Sequence, residues 1–298
     1  MWDEIATVMK GAVRGWARDR APSMGAAVAY YTVFSMAPIL LVVIAVAGMV
    51  FGDQAARGAL VGNLQGIMGP EGAQALEAMI KHAAVGEAGP IATIAGAAAL
   101  AIASTAVLME LQAALNVVWK VPPAPGINLW LLVKHRLLCL AIILASGALL
   151  GVTLAASAAI HAFSYYLSAF AGGALPVILH AINIAISLAM ATLLFGMIYK
   201  ILPDAQVRWR DVWVGAAVTS VLFTVGKYAI GLYIGSKQVT SVYGAAGALV
   251  IILLWVYYST QILLFGAEIT KAHADWRARR EGREPARRAE PSPRGAPG

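Results

Sequence analysis

Apolar and polar positions alternate along the chain in blocks: long uncharged runs separated by short polar stretches, most of them basic. No charged side chain occurs from Gln238 to Ala267. At ~1.5 Å of rise per residue, such a run is more than enough to cross a ~30 Å hydrocarbon layer as a helix. Ala21–Gly52 and Ala88–Met109 are uncharged in the same way. Leu137–Tyr199 is too long for one crossing and right for two, with a break expected across His161–Pro176, where Gly172, Gly173 and Pro176 collect. Val212–Ser236 is apolar apart from Lys227. The pattern predicts an all-α polytopic membrane protein, a bundle of six transmembrane helices near 24–50, 89–109, 137–160, 176–198, 212–235 and 242–267.

Three stretches fall outside those spans. Residues 1–20 place Ile5, Val8, Met9, Val13 and Trp16 among Lys10, Arg14, Arg18 and Arg20, the spacing of an amphipathic helix on the inner membrane surface. A secretory signal is the competing reading, but the basic region and the apolar run after it are both too long and show no evident cleavage site. Residues 53–87 have helical apolar spacing interrupted at Gly69-Pro70, which predicts two short amphipathic helices on the outer face, serving as a lid, a partner surface or a connector. Residues 271–298, rich in Arg, Pro, Glu and Gly, predict a disordered cytoplasmic tail.

Charge then sets the orientation. On one side of a six-span threading lie four Lys or Arg in 1–20, three in 120–136, three in 200–210 and eight beyond Glu268; on the other lie Arg57, Lys81 and Lys237. That bias predicts both termini in the cytoplasm of a bacterial inner membrane. It also accounts for the net charge of +7 without nucleic acid as a partner. The single cysteine, Cys139, excludes an intrachain disulfide, and no cofactor or metal is expected.

Polar groups at membrane depth are the candidate functional residues, because lipid makes them costly. Pro38 predicts a kink near Ser35–Pro38. Tyr30, Tyr31, Thr32 and Ser35 precede it, either satisfying neighbouring backbone or lining a cavity. Glu110, followed by Gln112 and Asn116, is intramembrane if its helix continues to Trp119 and interfacial if the helix ends near Met109, the placement preferred here. His180 and Asn183 lie one turn apart on the fourth span, more simply a hydrogen-bonded pair than a ligand or proton relay. Lys227, ~12 Å in from the outer end of its span, is the strongest single candidate, with snorkelling to the interface as the alternative. Tyr243 and Glu268 bracket the last span.

The stretches AAVAYYTVFSMAPILLV at 26–42, LQAALNVVWKV at 111–121, MIYKILPDAQVRWRDVWVGA at 197–216 and YGAAGALVIILLWVYYSTQILLFGAE at 243–268, in that order, resemble the YihY/BrkB family of bacterial inner-membrane proteins. Some members carry the historical label "ribonuclease BN". The resemblance implies six transmembrane helices with both ends inside and a role in envelope integrity, with transport of a lipid or other envelope component suspected. It brings no catalytic residues. A transporter using Lys227, Tyr30, Tyr31, Ser35 and Asn183 is one expectation, its partners being membrane lipids. A scaffold recruiting envelope proteins through 53–87 is another. A nuclease is disfavoured, since Glu110, Asp204, Asp211 and Glu268 are scattered over three connections and form no paired-carboxylate motif.

Overall fold

A computed structural model of the chain describes residues 2–83, 105–122, 129–168, 175–235 and 247–282. These form α1 (Trp2–Arg18), α2 (Ala21–Phe51), α3 (Asp53–Ala83), α4 (Thr105–Val118), α5 (Leu129–Ser168), α6 (Leu175–Ile201), α7 (Trp209–Gly235) and α8 (Gly247–Arg280). Among the described residues there is no strand.

The boundaries follow local chemistry. Arg20, in the left-handed region at φ 55°, separates α1 from α2, and a proline in the first turn of α2 gives up only a donor that has no helical partner there. Gly52, at φ 81°, divides α2 from α3 and donates its N–H to the Gly48 carbonyl at 2.8 Å. Glycine takes that backbone conformation without a Cβ penalty. Inside α2 the expected kink is present: the segments Ala21–Met36 and Pro38–Met49 meet at 57°. Proline lacks the donor and clashes with the preceding turn.

Three helices are long and apolar enough to cross a membrane, Val133–Thr153 within α5, Ala181–Ile201 within α6 and Leu249–Arg280 within α8, and four if bent α2 counts as one span. The count of six is therefore not reached among the described residues. Most of the expected span 89–109 and the start of 242–267 lie outside them. Helix α7, with Arg210, Asp211 and Lys227, is not counted among the crossing helices.

The main core joins α2, α4, α5, α6, α7 and α8 around Leu115, Trp119, Tyr199, Val212 and Leu264. Lipid offers helices little hydrophobic reason to associate, so close packing of small residues and interhelical hydrogen bonds take over. Both appear where α7 crosses α8. A Cβ on Gly266 would overlap the Thr219 hydroxyl, and one on Gly215 would overlap that of Thr270. Beside them the buried Tyr199 hydroxyl donates to the Leu263 carbonyl at 2.7 Å and lies 2.8 Å from Thr219 Oγ1, which donates to the Gly215 carbonyl.

Two expectations are corrected. Residues 53–83 form one helix running through Gly69-Pro70, not two short ones. Its Ala56, Leu60 and Ile80 pack on Ile44 and Ala47 of α2, and Leu76 joins Ile251 and Ile252 of α8, so tertiary burial outweighs the local breakers. At the other end, α8 continues through Arg280, so 271–280 is ordered helix and not tail. Lys271–Asp275 at 3.1 Å, Arg277 on Asp211, and Arg208–Glu281 at 3.5 Å hold this extension. The apolar face of α1 covers it: Val8 and Ala12 pack on Ile269, Ala272 and Trp276.

Candidate anionic-ligand site

The site begins with two helix ends. Helix α4 closes with the Lys120 N–H bonded to the Val117 carbonyl at 3.1 Å and the Val121 N–H to the Asn116 carbonyl at 2.9 Å, a Schellman closure. Glycine usually occupies the left-handed position of that motif; here it is Lys120, at φ 55°. Among the described residues, Lys120 and Arg20 are the non-glycine residues at positive φ, and they flank the same carboxylate. Asp19, next to Arg20, is ion-paired with Lys120, and Arg18 Nε lies 3.3 Å from Asp19 Oδ1. Burial pushes the Asp19 carboxyl up, but the Lys120 ammonium and Arg18 guanidinium outweigh it and hold its pKa below 3.8.

Around this junction lies a cavity of about 720 Å³ between α1, the turn after α4 and the extension of α8. Its cations are Lys10, Arg14, Arg18, Lys120, Lys271 and Arg279; its acids are Glu268 and Asp275. Glu268 is 3% exposed and faces Asp19, Lys120 and Lys271. Gly15 makes room for it, since a Cβ there would overlap the Glu268 carboxylate. Gly11, one turn earlier on the same face of α1, approaches Ala272. Trp119, 1% exposed, forms part of the wall, and its Nε1 has no hydrogen-bond partner.

A second cluster braces this floor. Asp204, in the turn after α6, accepts from Asn116 Nδ2 at 2.9 Å and Gln112 Nε2 at 3.4 Å, and His135 Nε2 lies 3.0 Å from its other oxygen. Its backbone N–H donates to Asn116 Oδ1 at 2.9 Å. The start of α7 is fastened to α8 by Asp211, which meets Arg277 and, at 3.4 Å, His273. Together these contacts gather 18–20, 119–120, 134–136, 200–211 and 268–281 at one end of the bundle. Among the described residues no group of three or more His, Cys, Asp or Glu side chains is placed to hold a metal ion.

Of the residues singled out in the sequence, Glu268 lies in the cavity and Asn116 in the Asp204 cluster beside it. Glu110 is half-buried within a helix that continues to Val118, so the helix does not end near Met109. Tyr30 (59% exposed) and Tyr31 point outward and stack edge to face with each other, and Tyr30 also packs on Phe34. Ser35 is buried, and Pro38 sits at the bend. Asn183 is half-buried on α6; the side chain of His180 and all of Tyr243 lie outside the described residues. Lys227 is half-buried on α7 and lines neither the basic cavity nor a smaller one between α2 and α3. Asp19, Trp119 and Lys120 were not singled out, and Asp204 only as one of four scattered acids. Their signal in the sequence was position: each lies in or beside a basic connection, where charge reads first as orientation.

Residues 12–291 match the family model described as virulence factor BrkB. The chain belongs to the BrkB family. The match includes every wall residue of the basic cavity except Thr7, Lys10 and Gly11. Relatives are named UPF0761 membrane proteins. One from Ralstonia nicotianae is 28% identical over 273 residues, covering 89% of this chain and 58% of its own length. One from Rhodospirillum centenum is 28% identical, with 93% and 59% covered. One from Klebsiella pneumoniae is 31% identical over 186 residues, with 62% and 61% covered. The chain thus spans less than two thirds of the length of these BrkB relatives. No solved structure is a match.

Proposed function

We propose that this BrkB-family membrane protein serves envelope integrity by moving a lipid or other anionic envelope component, which enters at the basic cavity. The observation that carries the reading is the wall of Lys10, Arg14, Arg18, Lys120, Lys271 and Arg279 at the end of an apolar bundle. Glu268 is the first charged residue after the uncharged run 238–267, so the cavity sits at headgroup level, and cations there attract anionic lipid by about 1 kcal/mol each. On this reading the cavity end faces the cytoplasm of a bacterial inner membrane, with both termini inside. Helix α1 turns Ile5, Met9 and Val13 outward, where they dip into the same interface. The 57° bend in α2 supplies the interrupted span that transport pathways commonly use. The protein is then a lipid-handling carrier and not a nuclease.

The test follows fluorescent phosphatidylglycerol between leaflets of proteoliposomes containing the purified chain, with an Arg14→Gln/Lys120→Gln variant alongside. Movement above protein-free vesicles that falls in the variant is the expected result. A rate equal to that of protein-free vesicles would leave a lipid-bound scaffold and overturn transport.

A further inference from the structure

The cavity carries more positive charge than one phosphodiester can balance. Its six cations are met by three carboxyl groups, Glu268 and Asp275 in the wall and Asp19 beside it, an excess of at least three positive charges. Lys120 and Arg18 pair with Asp19, and Lys271 pairs with Asp275. Lys10, Arg14 and Arg279 have no carboxylate partner among the described residues. They project from α1 and the end of α8, on two walls of one cleft. A diester lipid headgroup with one negative charge leaves most of that excess facing itself.

The hydrogen-bonding character of the wall is equally one-sided. Arg and Lys only donate, and so does the Trp119 indole, whose buried Nε1 lacks an acceptor. A buried donor is costly unless something accepts from it. Phosphate oxygens only accept, and arginine forks match them bidentately. Glu268 Oε1, in the wall, and Asp19 Oδ2, beside it, are buried acceptors without a partner, and the former is suited to a hydroxyl on the same ligand. A volume of about 720 Å³ holds a headgroup larger than one phosphate.

Resting on the lipid reading above, we infer that the cavity binds a lipid headgroup bearing a diphosphate, held by Lys10, Arg14, Lys120 and Arg279, with Trp119 Nε1–H donating to a phosphate oxygen and Glu268 accepting from a headgroup hydroxyl. The diphosphate is shared with soluble phosphate compounds. The lipid source is favoured because the cavity lies beside the end of the last apolar run, and because the helix that supplies Lys10 and Arg14 also exposes Ile5, Met9 and Val13.

The experiment measures binding to the full chain in nanodiscs by three probes: geranylgeranyl diphosphate, geranylgeranyl monophosphate and inorganic pyrophosphate. The diphosphate lipid should bind about tenfold tighter than the monophosphate, because two further charge-assisted contacts form. Lys10→Gln/Arg14→Gln, both exposed positions, should weaken both lipids but the diphosphate more, erasing the difference between them. Trp119→Phe keeps an aromatic ring but loses the N–H with its five-membered ring, and should weaken the diphosphate selectively; if that buried substitution misfolds, the exposed pair still decides. Equal affinity for the two lipids overturns the diphosphate assignment. Pyrophosphate binding as tightly as the lipid overturns the lipid source. Phosphatidylglycerol movement without diphosphate preference removes this inference and leaves transport standing, whereas diphosphate binding without movement of any lipid supports the site and removes transport.

Discussion

Asn116 and Asp204, 88 residues apart, exchange two hydrogen bonds: Asn116 Nδ2 donates to the Asp204 carboxylate and the Asp204 N–H donates to Asn116 Oδ1, each at 2.9 Å. The pair ties the end of α4 to the turn after α6. Asn116 also contributes its backbone carbonyl to the closure that sets Lys120 in the left-handed conformation. One side chain therefore joins the fold of the connections to the placement of a cavity lysine.

Replacing Asn116 with Ala should lower stability by about 1–2 kcal/mol, since both bonds are lost and one accepts at a charged oxygen close to solvent. Asn116→Asp should cost more at neutral pH, because it sets two carboxylates face to face. An SDS-unfolding titration of the purified chain checks both. A variant as stable as the parent would mean that water replaces the pair at no cost.

Lys120 separates strain from charge. Lys120→Gly and Lys120→Ala both remove the cation, but only glycine relieves the left-handed backbone, worth about 1 kcal/mol. The glycine variant should be the more stable of the two by that amount, and both should lose anionic-lipid binding equally. Unequal binding would show that backbone geometry, and not the ammonium, matters at the site.

The α7–α8 crossing has no space for another methyl group. Gly266→Ala should destabilise by about 1–3 kcal/mol through overlap with the Thr219 hydroxyl. Adding Thr219→Ala removes the overlapping atom, so the double variant should recover part of the loss in the same titration. Additive losses would place the strain elsewhere.

Asp19 predicts a pH dependence. Its folded pKa is depressed, so its contribution is present at neutral pH and disappears as pH falls through the folded value, below 3.8. Asp19→Asn should therefore lower the apparent melting temperature at pH 7, with the gap to the parent closing in acid. A gap constant from pH 7 down to pH 3, estimated from the same linkage, would contradict the ion pair with Lys120.

Several elements were legible because they depend on local composition. The helix over 2–18 follows from its apolar spacing, and the bend of α2 from Pro38, whose ring and missing donor act within one turn. Asn116 and Glu268 stood out as polar residues close to apolar runs. The continuation of α4 past Glu110, the single helix through Gly69-Pro70 and the ordered 271–280 were not legible. Each is stabilised by partners distant in sequence: Asp204 for α4, Ile44 and Ile251 for α3, Asp211 and Val8 for the end of α8. Sequence records that Tyr30 and Tyr31 are polar but not which side of α2 they occupy, and in the structure both are exposed.

By itself the sequence determined that this is a helical membrane protein of the BrkB family, because runs of uncharged residues satisfy their backbone only as helices in lipid. It placed the basic residues in particular connections. Tertiary structure alone decided what those residues do together. It folded α1 back onto the extension of α8, left Gly15 open for Glu268, and held Lys120 in a strained turn against Asp19. Charges that read separately as orientation signals thereby become the wall of one cavity. Proximity among them depends on helix packing between distant segments, which no local pattern encodes.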